Sequence, residues 1–178
     1  MRYLLPLLLV LAACGDTLQY VPPPLEPGAR VSVSARTVMI EEVSVPEYAS
    51  VQEIAVQTPE GAIVADGDNV WADLPDRALA ASLLRHLNGI TSARVAPAPW
   101  PLSGFPEAEL SVFVEDMYAA NDGTVRFNGL YAIASETGRD RLEKFAIVQP
   151  LAFPGFIGIT AAHEAAWRQL ARQIAGSL

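Results

Sequence analysis

Cys14 is the only cysteine of the 178-residue chain, and His86 and His163 are its only histidines, so thiol and imidazole chemistry can arise at three positions alone. A lone cysteine has no partner for an internal disulfide. Each histidine falls in a stretch with helical periodicity, and His163-Glu164 lacks the second histidine that a zinc-protease helix carries. No Gly-x-Ser-x-Gly elbow is present, and no glycine-rich loop closes on Lys-Ser or Lys-Thr. Ser103-Gly104 has no base near it in sequence, and Glu41-Glu42 reads as a pair of solvated edge carboxylates. Asp66-Gly67-Asp68 lacks the ligand spacing of a calcium loop and reads as a solvated turn leading to a helix cap. This inventory points away from an enzyme, a metal site and a bound cofactor, and towards binding.

Cys14 is different, because of what precedes it. Arg2 is followed by an apolar run, Leu4 to Leu11, that is too short to span a bilayer and has the form of a secretory signal. Leu11-Ala12-Ala13-Cys14 resembles the bacterial lipobox at all four positions. By that resemblance residues 1–13 are a signal peptide and Cys14 is the lipidated first residue of the mature chain. An ordinary signal peptide cut nearby would instead leave an unpaired thiol in an oxidising compartment. Several acyl chains, at about 0.8 kcal/mol per buried methylene, hold a protein stably on a membrane where one chain is marginal.

Residues 14–29 read as a lipidated N-terminus and linker. Pro22, Pro23, Pro24 and Pro27 make an extended, semi-rigid spacer. Gly15 stands where aspartate marks inner-membrane retention in enteric lipoproteins, with Asp16 one place later, which favours the outer membrane. The formal net charge of −8, one unit more negative without Arg2, argues against a phosphate-neutralising face for nucleic acid and against electrostatic adhesion to anionic lipid heads.

Residues 30–178 have the length of one domain. Alternation in Val31-Ser32-Val33-Ser34-Ala35 predicts a half-buried strand, continued by Val38 to Ile40; Ile54 to Val56 is a second short strand, and Gly61 to Asn69 is rich in turn residues. Asn69 to Leu87 predicts a helix capped by Asp73, with Leu74, Ala78, Ala81 and Leu84 beside Leu79, Leu83 and Leu87, ending at Asn88-Gly89. Arg94 to Ala96, Glu109 to Tyr118, Thr124 to Ala134 and Arg141 to Val148 predict strands, the last three as an antiparallel meander. Thr160 to Gly176 predicts a closing helix with Trp167, Leu170 and Ile174 inward and Glu164 and Arg168 as an exposed pair. The fold class is α/β: a single domain, a mixed sheet with an antiparallel three-strand portion, and two long helices packed mainly on one face. The apolar loop Pro150 to Gly158 offers Phe153, Phe156 and Ile157 as partner-binding residues, or as a flap that folds back over the sheet edge.

The order of these features carries a resemblance. Val45-Pro46-Glu47-Tyr48, then Ile54-Ala55-Val56, then Trp71-Ala72-Asp73-Leu74-Pro75 opening a leucine-striped helix, resembles the PqiC (YmbA) type of ABC-transport auxiliary lipoprotein. Asp73 stands where glutamate is usual, and the proline and leucine of that segment are exchanged. The resemblance implies a non-enzymatic, lipid-anchored accessory subunit on the periplasmic side of the envelope. It further implies an MCE-domain protein and inner-membrane transport subunits as partners, self-association, and hydrophobic molecules or lipids as cargo, in support of membrane integrity. A stand-alone lipid or small-molecule binding lipoprotein, and a structural lipoprotein of outer-membrane assembly, are the alternatives.

Overall fold

The computed structural model describes residues 16–178 except 27, 137 and 139. The signal peptide and Cys14 lie outside the described residues.

Alternating side chains and strong turn signals build the right half of the sheet. β6 (Ala108–Ala119), β7 (Thr124–Ser135) and β8 (Arg141–Pro150) form the expected antiparallel meander, with Val112 opposite Tyr131 and Phe127 opposite Ile147. At the first turn the Asp122 carboxylate accepts the Thr124 amide and hydroxyl at 3.1 and 2.6 Å, and Gly123 supplies a φ of 77°. This is local turn chemistry, and it leaves the strands free to alternate between core and outer face.

The left half is less regular. β2 (Thr37–Ser44) and β3 (Glu53–Gln57) lie one after the other along the same edge of β6, both parallel to it. β2 carries β5 (Arg94–Pro97) on its far side; β3 carries β4 (Ile63–Trp71), which in turn carries β1 (Leu18–Tyr20). All eight strands belong to one mixed, open sheet.

Where β2 gives way to β3, β6 has no strand on that edge. Pro46 turns the chain out of the sheet into a 3-10 turn, Glu47–Ala49, and the Tyr48 hydroxyl accepts the stranded Met117 amide at 3.0 Å. The Pro-x-Tyr segment therefore replaces a ladder bond with a side chain. Burial, reinforced by Asp116 and Tyr118 and partly offset by that amide, holds the Tyr48 phenol above its ordinary value. Tyr48→Phe is expected to cost about 1–2 kcal/mol, since it leaves an amide on a buried strand without an acceptor. Urea unfolding checks this; a midpoint unchanged from wild type would contradict it.

Two helices, α1 (Pro75–Ile90) and α2 (Gly155–Ser177), cover one face of the sheet and pack on each other, α1 over β2 and β5 and α2 over β7 and β8. Leu79, Leu83, Leu87 and Ile90 of α1 and Trp167, Leu170 and Ile174 of α2 are fully buried. Leu74, Ala78, Ala81 and Leu84, read as half of an apolar face, instead lie at the rim of α1 or in solvent.

Several expected boundaries move, each for a tertiary reason. Val31 to Ala35 keeps its alternation in burial but is not a strand: the amides of Val31, Ser34 and Ala35 bond the carbonyls of Ile90 and Leu178. Gly61 to Asn69, read as turns, is mostly β4. Its turn residues are absorbed by an irregularity at which pairing with β3 jumps from Glu53↔Val70 to Ile54↔Asp66, and Asp66 accepts the Asp68 and Asn69 amides at 3.0 and 2.9 Å. Asn69 to Trp71 is strand rather than helix, because β1 pairs with it. Asp73 does not cap α1 from the N-cap position, which Leu74 occupies; its carboxylate accepts the Leu74 amide at 2.8 Å. Asn88-Gly89 does not end the helix either. Asn88 bonds both the amide and the carbonyl of Val95, clamping β5 to α1 while the helix runs on to Ile90. The linker read over residues 14–29 contains β1, so Leu18 to Tyr20 lie on the domain.

Candidate functional site

The polar residues that interrupt the leucine stripe of α1 mark the most unusual chemistry of the molecule. Ser82 and His86, one turn apart, face α2 and are fully buried, as is Glu164 of α2. Glu164 Oε1 accepts Arg85 Nη2 and His86 Nε2, each at 2.9 Å. Arg85 is about half exposed, so a solvated guanidinium is joined to a carboxylate in the dark interior. Burial alone would push the Glu164 carboxyl up; hydrogen bonds from His86 and Arg85, with the nearby Ser82 hydroxyl and the Arg85 charge, outweigh it and hold the group below its ordinary value. The Nε2 bond places the His86 proton on Nε2, and His86 Nδ1 is left buried without a partner.

This corrects the expected surface pair. Glu164 does not bridge to Arg168 in solvent; it crosses to α1, and Arg168 Nη1 points at the Glu26 carbonyl instead at 3.5 Å. The signal was present in the sequence as serine and histidine four residues apart within a leucine stripe, but only the α1–α2 packing supplies their partner.

Next to the pair lies a cavity of about 190 Å³ between β1, the end of β4, α1 and α2. Trp71 and Trp167 form its aromatic wall, stacked with ring centroids 5.8 Å apart. Glu164 Oε2 and the Trp167 indole Nε1 are buried with no hydrogen-bond partner. Behind Trp71 sits His163, ring edge to ring face at 5.1 Å, with Nδ1 bonded to the Ile159 carbonyl at 2.9 Å. Complete desolvation lowers its pKa to about 4, against a smaller opposing effect of the Ile159 bond. The Trp71-Ala72-Asp73 segment, noted in the sequence for its order alone, thus lines one side of this cavity.

The apolar segment near residue 155 is not a free loop. Gly155, at φ 77°, starts α2, so Phe156 and Ile157 occupy its first turn. Gly158 lets the chain double back: a Cβ there would lie 1.8 Å from the Phe153 carbonyl oxygen. Phe153 and Ile157 are exposed by 59% and 66%, whereas Phe156 turns inward, its ring 5.8 Å from that of Tyr20. The three candidate residues therefore separate into two presented outward and one that fastens β1 to α2.

Among the described residues no group of three or more His, Cys, Asp or Glu side chains could hold a metal ion, and no helix is long and apolar enough to cross a membrane. Asp66-Gly67-Asp68 serves its own backbone, as described above.

A family model described as the ABC-type transport auxiliary lipoprotein component matches residues 17–175. Among solved structures, one described as that of an uncharacterized protein superposes with a TM-score of 0.74 at 20% identity, covering 91% of this chain and 98% of the other. Protein XCC0632 from Xanthomonas campestris superposes with a TM-score of 0.70 at 16% identity, covering 90% and 93% of the two chains. No curated protein matches the chain.

Proposed function

The chain belongs to the family of ABC-type transport auxiliary lipoprotein components, and from that premise we propose that it works as a lipid-anchored docking subunit in the cell envelope. On this reading acyl chains on Cys14 attach it to the outer membrane, and the proline segment sets its reach. The domain engages an MCE-domain protein and inner-membrane subunits that move lipids or other hydrophobic molecules. Its own contribution is binding rather than catalysis, and no cofactor beyond the covalent lipid takes part.

The observation that supports docking is the outward presentation of Phe153 and Ile157 by a turn whose geometry Gly158 secures. Two large apolar side chains held in solvent by a rigid helix start are suited to a partner surface. In-cell crosslinking of the full-length lipidated protein, followed by affinity capture and mass spectrometry, tests the reading. An MCE-domain protein is expected among the captured partners. Recovery of outer-membrane assembly factors alone would favour a structural role instead.

Phe153→Ser with Ile157→Ser is expected to reduce that crosslinking at least about fivefold while leaving the melting temperature within the range of surface substitutions. Phe156→Ser, by contrast, loosens β1 and lowers stability. Crosslinking of the double variant at the wild-type level would remove this turn from the interface.

A further inference from the structure

We propose that the cavity between β1, α1 and α2 is a head-group site for a primary ammonium joined to a phosphate, as in an ethanolamine phospholipid. The inference rests on the reading of the chain as a membrane-anchored envelope lipoprotein.

Two orphaned atoms on α2 define the chemistry. Glu164 Oε2 can only accept hydrogen bonds and Trp167 Nε1 can only donate, and both are buried without partners beside the same cavity. A ligand that satisfies both must carry a donor and an acceptor. The stacked indoles of Trp71 and Trp167 wall the same cavity. Charge then narrows the class. Glu164 is already balanced by Arg85, so a ligand with net charge would leave an uncompensated ion in a desolvated site, whereas a zwitterion leaves the total at zero.

The half-exposed Arg85 shows how entry can occur without net loss of ion pairing. Water does not reach the Glu164 side chain while Arg85 is in place. When the guanidinium swings outward to a phosphate, the ammonium takes its place beside the carboxylate, giving hydrogen bonds to the partnerless Oε2 and to the side of Oε1 that Arg85 leaves, and each cation exchanges one anionic partner for another. Bidentate phosphate binding suits arginine at this rim. At about 190 Å³ the cavity is smaller than the roughly 300–1,000 Å³ of a pocket for a drug-sized ligand, and it suits a head group rather than a whole lipid.

Position agrees. Tyr20 of β1 forms part of the wall and lies six residues after Cys14, so a fully extended chain keeps the cavity within about 20 Å of the lipid anchor. The rim therefore stays within reach of the membrane surface to which the leash is tied.

The test uses the full-length lipidated protein in maltoside micelles, labelled with nitrogen-15 at tryptophan, with the Trp167 indole signal assigned by Trp167→Phe. Dihexanoyl phosphatidylethanolamine is titrated against dihexanoyl phosphatidylcholine and against soluble phosphoethanolamine. The ethanolamine lipid is expected to shift the Trp167 indole signal saturably. The choline lipid, which has no N–H to give Glu164, is expected to bind at least about tenfold more weakly. Saturation by phosphoethanolamine at similar concentration would locate all recognition in the head group; saturation by the lipid alone would identify membrane lipid as the source, and either supports the site. Ala81→Leu fills the cavity from α1 without removing either member of the ion pair and is expected to weaken binding at least about tenfold at an unchanged melting temperature. No saturable shift, equal affinity for the choline lipid, or wild-type binding by Ala81→Leu would each overturn the proposal. Because no partner protein enters the titration, its failure leaves the docking result standing, and the converse holds.

Discussion

Replacing Arg85 by leucine is expected to lower the unfolding free energy by about 3 kcal/mol, although the arginine is half exposed and would pass for a surface residue. The effect arises on the other partner. Glu164 has no contact with water, and its Oε1 depends on Arg85 and His86 for the hydrogen bonds that offset its desolvation. Without Arg85 the carboxylate must either remain charged with the His86 bond alone or take up a proton, and either alternative is unfavourable at neutral pH. The magnitude sits at the lower end for a broken buried pair because the His86 Nε2 bond to Glu164 Oε1 remains. A second substitution separates this mechanism from lost packing: Glu164→Leu added to Arg85→Leu recovers most of the stability, since it removes the buried charge altogether. Denaturant titrations of the two variants and wild type check it. A double variant no more stable than Arg85→Leu would show that the loss came from the arginine's own contacts.

Acidification from pH 7 to pH 4 is the second large effect, and His163 is its main cause. The folded pKa of about 4 lies below the ordinary 6.5, so between these values the unfolded chain binds a proton that the folded chain refuses. Stability is therefore complete above about pH 6.5 and falls as pH drops towards 4, by about 3 kcal/mol in total. Glu164, whose pKa is also lowered in the fold, acts in the same direction further into acid: its stabilising ionisation is lost as pH falls below the ordinary carboxylate value. Unfolding free energies measured at intervals from pH 7.5 to 4 should show a slope of up to one proton in this window. His163→Leu should flatten that slope. An equally steep decline in the variant would assign the acid sensitivity elsewhere.

Both effects come from residues that the sequence displays openly but does not explain. The meander was legible because each of its strands is a strand-like run of eight or more residues and its turns carry Asn-Asp-Gly and Glu-Thr-Gly, so local chemistry and the final structure agree. The last helix was legible from Trp167, Leu170 and Ile174. The short pieces were not. Leu18 to Tyr20 has too few residues for any period to show, yet it becomes β1 because β4 offers a free edge and Phe156 holds Tyr20 in place. Val31 to Ala35 has a strand's alternation and no strand's partner, because Ile90 and Leu178 take its amides.

Composition and local pattern by themselves determined the class of protein: an acidic single domain behind a lipobox-like leader, with short strands before the first helix, a meander of strands between the two helices, and no motif of a familiar catalyst. Those properties follow from charge, length, periodicity and turn residues, all of which act within a few neighbours along the chain. Tertiary structure alone decided that Glu164 is an interior ion and not half of a surface pair, that Tyr48 bonds an amide 69 residues away in sequence, and that Trp71 and Trp167 stack beside a cavity. The physical reason is common to all three. Desolvation and hydrogen-bond satisfaction depend on which groups are brought together from distant positions, and the spacing of residues within one element contains no record of what the opposing element will bring.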